Sequence, residues 1–424
     1  GKMLNHKRSA LSLALAVVLA PTLASAQSTQ STTTPATTAA TNLDTVQVTG
    51  IRRGIENAIA VKQDATSVVE AISAEDIGKL PDVSIAESIS RLPGLAAQRV
   101  AGRAQVISVR GLSPDFATTL LNGREVVSTG DNRSVEFDQY PSELMAGVTV
   151  YKTPDAALVG QGLSGTLDMR TVRPLDYENS VLSISGRLQR NSLGSAANAD
   201  ADGNRFNVSY IGQSADRKVG FVIGYSHSDT PIQENQVGLY EPWERVGDGW
   251  RPGVAAGTFY SNGIKALRRT GNTKRDGVMA TIQFRPNNSW TSTFDAFHTE
   301  AEQIDTANQF ELNLSNYNGN YTPGLLVSNP QINANGSFTG GTASGVYPLV
   351  RGMYNKRKDK IDAFGWNNEF NFERVKVVAD VNYSKATRNE LNLENNLQLT
   401  PMPQLDSVGV VVKPDGFSQI SPGL

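Results

Sequence analysis

Arg205–Asp229 reads RFNVSYIGQSADRKVGFVIGYSHSD. Phe206, Val208 and Tyr210 alternate with polar neighbours, Ser214 to Arg217 form a brief polar turn, and Val219, Phe221, Ile223 and Tyr225 alternate again. A period of two sends successive side chains to opposite faces of a strand. The stretch therefore predicts two antiparallel strands joined by a tight turn, each with one apolar and one polar face.

The same unit recurs on both sides. Val181 to Arg190 precedes it; Val278, Ala280, Ile282 and Phe284 pass through Pro286-Asn287-Asn288 into Trp290 to His298. Phe364, Trp366, Phe370 and Phe372 turn near Glu373-Arg374 into Val375, Val377, Ala379, Val381 and Tyr383. Long segments, from about Asp229 to Asp276 and from about Ala301 to Lys360, separate these hairpins. About seven strands of roughly 9–11 residues thus alternate between short and long connections, as in a transmembrane β-barrel with turns on one side and loops on the other. A soluble β-sandwich is the competing architecture, but loops above ~15 residues are uncommon in compact domains.

The start of the chain supports export. Lys7 and Arg8 precede an apolar run from Ala10 to Ala20 broken by Ser12, Pro21 ends it, and Ala24-Ser25-Ala26 is a small-residue cleavage pattern. Residues 1–26 therefore read as a signal peptide, with Met3 as the natural start and Gln27 opening the mature chain. The run is too short to span a membrane as a helix. Residues 27–60 read as a flexible tether of Ser, Thr, Ala, Gln and Pro, interrupted at Leu43 to Gly50 by β-branched residues alternating with polar ones. Such a strand-former either adds to the sheet edge of another protein or opens the next domain.

Residues 61–176 are mixed α/β. Thr66 to Ile72, Val106 to Arg110, Thr118 to Leu121, Val148 to Tyr151 and Thr166 to Arg170 are strand candidates, and Asp82 to Arg91 is a helix stopped by Leu92-Pro93-Gly94. Asn122-Gly123 marks a type I′ hairpin returning through Val126-Val127. Gly111, Gly123, Gly160, Gly162 and Gly165 suit turns and close backbone approach.

Composition removes several function classes. A net charge of −2 argues against nucleic-acid binding, and the absence of cysteine excludes disulfides, a thiolate nucleophile and a Cys-type zinc site. With His6, His227 and His298 as the only imidazoles, a His-rich metal site or a Ser-His-Asp triad is hard to build. No strand-GxGxxG-helix unit suggests a nucleotide, and no clustered acid/base set suggests an enzyme. No catalytic residue, metal or cofactor is expected.

Five segments, in this order, carry a family resemblance: LDTVQVTG (Leu43 to Gly50), SVVEAISAEDIGKLPDVSIAESISRLPGL (Ser67 to Leu95), ISVRGL (Ile107 to Leu112), TLLNGRE (Thr119 to Glu125) and VTVYKTPDAALVGQGLSGTLDMRTVRP (Val148 to Pro174). Their order and spacing over roughly residues 43–176 resemble the TonB box and plug of TonB-dependent outer-membrane receptors. The wording is most similar to the branch common in xanthomonads and caulobacters, often associated with uptake of plant-derived carbohydrate.

The resemblance implies a mixed α/β plug domain inside a barrel of about 22 strands. With about seven strands over residues 177–424, the chain reads as the N-terminal part of an incomplete antiparallel transmembrane β-barrel. Asp44, Thr45, Val46, Gln47, Val48 and Thr49 are the expected contact with TonB and its inner-membrane energising complex. Arg103, Arg110, Arg124 and Arg133 lie in or near plug strands and turns; the resemblance assigns Arg110 to a plug–barrel ionic contact, against the alternative of a solvated or locally paired arginine.

Outer-membrane lipid is the surrounding medium, and an extracellular oligosaccharide is the expected ligand. A ferric siderophore is the runner-up, and an outer-membrane enzyme is disfavoured. Tyr240, Trp243, Trp250 and Tyr260 in one long loop, and Tyr317, Tyr321, Tyr347 and Tyr354 in the next, offer flat faces for sugar rings or, alternatively, cores for the loops themselves. The first four with Tyr317 and Tyr321 are the candidate ligand-binding residues.

Overall fold

A computed structural model describes residues 58–73, 84–100, 103–196, 198–240, 243–247, 251–314, 325–397, 405–412 and 418–422. The signal segment, residues 27–57 of the tether and Asp44 to Thr49 within it lie outside the described residues, as do Trp250, Tyr317 and Tyr321, whereas residues 58–60, expected as tether, are helical. The fold that follows falls within residues 48–424.

The first part is the mixed α/β domain. A helical stretch over 58–64 leads into β1 (Val69–Ser73), β2 (Leu95–Val100), β3 (Arg103–Val109), β4 (Ala117–Leu121), β5 (Arg124–Glu125), β6 (Gly147–Tyr151) and β7 (Gly165–Arg170). Five of these form a sheet in the order β1-β6-β7-β4-β5, while β2 and β3 pair separately. Only β4 and β7 run parallel; β1, β6 and β5 pair antiparallel with their neighbours.

The predicted helix at Asp82 to Arg91 is shorter in the structure, Ile85–Ile89. The Ser84 hydroxyl caps it by accepting the Glu87 N–H, and Ile85, Ala86 and Ile89 are buried. The residues after Pro93 form β2, which the sequence pattern leaves unassigned. Asn122 and Gly123 take positive φ of 55° and 78°, as a type I′ hairpin requires.

The second part is a wall of long strands: β8 (Val181–Arg190), β9 (Asp202–Gln213), β10 (Val219–Leu239), then the short β11 (Glu244–Arg245) and β12 (Phe259–Tyr260), then β13 (Gly263–Asn287) and β14 (Trp290–Asn313). The short β15 (Leu326–Ile332) and β16 (Phe338–Ser344) follow, then β17 (Pro348–Asn371), β18 (Lys376–Leu397), β19 (Val408–Val411) and β20 (Gln419–Pro422). Seven strands form one antiparallel sheet in the order β18-β17-β14-β13-β10-β9-β8. They are the seven alternating segments of the sequence, and the sheet is an open, incomplete barrel with β8 and β18 at its edges.

Register carries the two-faced pattern across this sheet. Phe221, Ile282, Phe294, Trp366 and Val381 are successive partners on β10, β13, β14, β17 and β18, and all five are exposed. The neighbouring row, Val222, Thr281, Asp295, Gly365 and Asn382, points to the other side. Beside the short turns, Trp290 stacks on Phe370 with centroids 6.0 Å apart and meets Phe284 edge-on at 5.5 Å. Apolar outer rows edged by such rings suit a lipid-facing band with an aromatic girdle.

Strand length departs from expectation. β13 has 25 residues and β14 has 24, against the 9–11 read from alternation. At about 3.4 Å per residue these strands run for roughly 80 Å, several times the height of an apolar band. Much of each predicted long loop is therefore strand. Alternation fades at the far ends because charged and amide side chains occupy both faces and apolar residues such as Val237, Phe310 and Val350 are scattered among them, while backbone pairing continues. The true loops fold into a two-stranded sheet of β11-β12 and a four-stranded sheet of β15-β16-β19-β20.

Two apolar cores result. One mixes Ile85, Ile107, Val109, Leu144 and Met145 of the first domain with Val222, Met279, Phe297 and Ile361 of the wall. The other consists of loop residues and far strand ends, including Val246, Tyr260, Leu312, Val327, Phe338, Val346 and Val410. Among the described residues no helix is long and apolar enough to cross a membrane.

Candidate functional site: the plug seat and the luminal wall

Arg124 organises the contact between the first domain and the wall. Its hairpin is fixed from behind: the Gly123 N–H donates to Asp168 Oδ1 at 2.8 Å, and Asn122 and Thr171 bond through side chain and backbone at 2.9 Å. The guanidinium then reaches three wall strands. Nη1 donates to Asp295 Oδ2 on β14 at 2.7 Å, while Nε and Nη2 donate to the two oxygens of Asp380 on β18 at 2.9 Å. On β17 between them, a Cβ at Gly365 would fall on the guanidinium itself. Glycine is therefore the residue that leaves room for this bidentate contact. Asp295 also accepts from Arg173 at 2.5 Å and from the Thr281 hydroxyl at 2.9 Å.

A second cluster has the opposite polarity. Arg388 of β18 donates to Glu136 Oε2 at 2.7 Å, to Thr129 Oγ1 at 3.0 Å and to Asp359 Oδ1 of β17 at 2.7 Å. The Gln139 amide donates to Thr129 and Glu136 in the same buried network. A third contact runs from Arg103 Nη2 to Gln303 Oε1 at 2.9 Å, with Asp138 Oδ2 at 3.5 Å. Nearby, Tyr140 stacks on Phe297 of the wall with centroids 5.4 Å apart, and burial pushes its hydroxyl far above the usual phenol range. Buried ion pairs of this kind are expensive to break from one side. Together they fill the space behind the wall with folded chain.

Beyond the seat, the same face of the wall is polar. Asp305 accepts from Arg269 Nη1 at 2.9 Å, from Gln303 Nε2 at 2.8 Å and from Asn355 Nδ2 at 3.2 Å. Further along, Glu311 accepts from Arg351 Nε at 2.8 Å, from the Tyr240 hydroxyl and from Gln309. Guanidinium, carboxylate and amide groups here are matched within the wall.

Two expected site residues lie away from the plug seat. Arg110 is exposed in the turn after β3, at φ 55°, where its N–H bonds the Gly94 carbonyl at 2.8 Å. Among the described residues the ion pairs between plug and wall pass through Arg124, Arg173, Arg285 and Arg388, while Arg103 reaches the wall by hydrogen bonds to Gln303 and Thr273. Tyr260 is only 1% exposed, packed against Phe338 with centroids 4.7 Å apart, so it serves the loop core and presents no face to a ligand. Trp243 packs half-buried against that core, and Tyr240 is half-buried with its hydroxyl on Glu311.

Comparison with known proteins follows this division of the chain. Residues 61–166 match the TonB-dependent Receptor Plug Domain. The vitamin B12 transporter BtuB of Vibrio vulnificus (strain CMCP6) is 28% identical over 144 residues, 33% of this chain and 23% of the transporter. The chain thus spans less than a quarter of that relative. Among solved structures, the copper transporter OprC has a TM-score of 0.41 at 12% identity, over 82% of this chain and 52% of that one. The siderophore receptor PirA of Acinetobacter baumannii has a TM-score of 0.34 at 11% identity, over 84% and 62%. The chain is an outer-membrane protein that carries a TonB-dependent receptor plug domain, seated by buried ion pairs against an open antiparallel wall.

Proposed function

We propose that the chain is part of a receptor that draws a bulky hydrophilic ligand through the outer membrane with energy delivered by TonB, and that this ligand is an oligosaccharide. The branch resemblance of the plug motifs points the same way. One observation carries the ligand class: the luminal wall beyond the plug is a ladder of matched hydrogen-bonding groups around Asp305 and Glu311. Such a surface exchanges water hydrogen bonds for ligand hydroxyls at little net change. A ferric siderophore is the competing ligand, since Arg269, Arg351 and Arg357 line the same wall. Each is already opposed by a carboxylate, Asp305, Glu311 or Asp359, which leaves little net positive charge for an anionic chelate.

A seated plug needs outside force, because the outer membrane has no ATP. Asp44 to Thr49 supplies the handle in this reading, pairing as an added strand on an edge of TonB at ~0.5–1.5 kcal/mol net for each hydrogen bond. Val46→Pro removes one donor and fixes φ, so uptake is lost while export, assembly and ligand binding persist. Gln47→Ala keeps the backbone and retains most uptake. Accumulation and equilibrium binding of labelled ligand on the same cells decide the matter; parental accumulation in Val46→Pro cells sinks the coupling assignment.

A further inference from the structure

One rung of the wall is crowded with positive charge. Arg187 of β8 and Arg205 of β9 are direct partners, Ser228 of β10 follows, and Arg275 of β13 comes next. They share the parity of the buried Asn207, Ser226 and Thr273, so the rung lies on the plug-facing side. Like charges set directly opposite on one face of a sheet repel. Arg205 and Arg275 are two strand spacings apart, roughly 10 Å, with only the short Ser228 side chain at the position between them.

Among the described residues no acidic side chain occupies this rung from β8 to β14, where Ala301 continues it. The first carboxylate along it is Asp359 of β17, which Arg357 and Arg388 already hold. The flanking positions are uncharged as well: Asn207, Ser226 and Gly277 on one side, Thr230 and Thr273 on the other. Farther along the wall, Arg269 and Arg351 each meet a carboxylate of the neighbouring strand instead.

A cavity of about 190 Å³ lies over this rung, between plug and wall. A site needs only ~10–15 Å³ to hold one water, so there is room for a larger guest. Arg205, Ser228 and Arg275 line it from the wall and Arg103 from the plug. Its two carboxylates have cations within the plug: Asp138 Oδ2 stands 3.5 Å from Arg103 Nη2, and Glu87 accepts from Arg99 Nη1 at 3.2 Å. Three cations and two carboxylates thus line the space, and Arg99 matches one of those carboxylates from outside, which leaves the lining net positive. Arginine stems, Ala104 and Pro141 add apolar surface, so a charge here acts through a lower dielectric than in an open lumen. Each guanidinium presents five N–H donors in a fork that matches carboxylate and phosphate oxygens, so a bond to one neighbour leaves donors for a guest. A neutral guest leaves the repulsion along the rung in place; an oxyanion between the guanidinium groups removes it.

We propose that the Arg205–Ser228–Arg275 rung, with Arg103 of the plug across the cavity, is an oxyanion subsite. Its guest is a carboxylate or phosphate-type group, brought by the transported ligand as an acidic sugar or taken up as a free inorganic ion. The subsite is separable from the ligand class argued above, because free phosphate can probe it alone. In the whole receptor, thermal release of the plug is followed in inorganic phosphate and in chloride at equal ionic strength. Binding of hexagalacturonate is compared with binding of neutral cellohexaose. Arg275→Gln keeps a long polar side chain but removes the charge. Ser228→Asp builds an anion into the rung and leaves every arginine in place.

Phosphate stabilises folded proteins generally, so the reading is the difference between parent and variant. The parent should gain more from phosphate than either variant, and Ser228→Asp should be more stable than the parent in chloride. Apparent phosphate affinity should fall about tenfold or more in Arg275→Gln, the range for a lost hydrogen bond to a charged group. A similar loss of hexagalacturonate binding in both variants, with cellohexaose unchanged, assigns the guest to the ligand; a loss for phosphate alone assigns it to a free ion. Parent and both variants responding alike to phosphate and to both sugars overturn the subsite and leave the ligand class standing. A Ser228→Asp receptor less stable than the parent in chloride also overturns it.

Discussion

The two ends of the long wall strands use the same backbone pairing for different purposes. At the end near the short turns, the outer face meets lipid through Phe221, Ile282, Phe294 and Trp366, while the inner face gives its charges to the plug through Asp295 and Asp380; Arg388, level with Glu300 at mid-strand, makes a further plug contact. At the far end the wall pairs with itself. Asp305 takes Arg269 and Glu311 takes Arg351 on the inner face, and Glu300 takes Lys358 at 2.6 Å and Lys360 at 3.0 Å on the outer face. The near end is thus defined by two foreign surroundings, and the far end is self-contained. A substitution should be felt across the plug–wall boundary most strongly at the near end, and not beyond the height of Gln303.

The largest expected effect tests that boundary. Arg124→Ala strips Asp295 and Asp380 of a cation in a seat where Arg124 is 9% exposed, and should destabilise the seated plug by about 3–5 kcal/mol. Arg351→Ala at the far end removes a side chain that is 32% exposed, and should change stability by about 1 kcal/mol or less. Plug release under denaturant, followed by protease access to the plug, measures both. Equal effects would erase the distinction between the ends.

Legibility in the sequence follows the same divide. Near-end strands announce themselves because lipid and lumen impose opposite demands on alternate residues, and the Asn122-Gly123 turn is legible because few residue pairs accept two positive φ values. At the far end charged and polar residues crowd both faces of β13, so Arg268 to Asp276 reads as loop although it continues that strand. The seat itself was only half legible. Arg124 stands out in its hairpin, but its partners Asp295, Gly365 and Asp380 are brought together by register alone. One local signal was present: Asp295 between Phe294 and Ala296, and Asp380 between Ala379 and Val381, are carboxylates at the height of an apolar band. Such residues must face inward, towards a partner. The motif resemblance assigns Arg110, which is exposed in the turn after β3 at φ 55°.

The outer face offers a second, intermediate test. Phe294 and Thr306 share one strand and one parity, twelve residues apart on β14. Phe294→Arg places a charge in the apolar band and should destabilise the assembled barrel by about 2–4 kcal/mol. Thr306→Arg, beyond the Lys358–Glu300–Lys360 belt, should be nearly neutral. Reversible unfolding in bilayers of the whole receptor provides the comparison. A comparable penalty at Thr306 would extend the lipid band into the far end and revise where the membrane stops.

The smallest effect calibrates what an ion pair contributes outside the seat. Glu70 of β1 accepts from Lys62 Nζ at 2.8 Å and from Lys152 Nζ at 3.3 Å, within the plug and away from the wall. The hydrogen bond from Lys62, then that from Lys152, outweigh the opposing effect of burial and hold the Glu70 carboxyl below the usual glutamate range. Its folded value lies below its unfolded one, so the stabilisation is present above the unfolded pKa of about 4.3 and is lost as pH falls through the folded value. The pair sits near the plug surface, and its contribution should be about 1 kcal/mol or less. Denaturation midpoints of the plug across this acid range should therefore fall slightly less steeply in Glu70→Gln than in the parent. At neutral pH the variant should already lack the increment. An identical pH profile for variant and parent would assign the pair no energetic role, and a difference as large as that of Arg124→Ala would show that buried and surface pairs hold this plug equally.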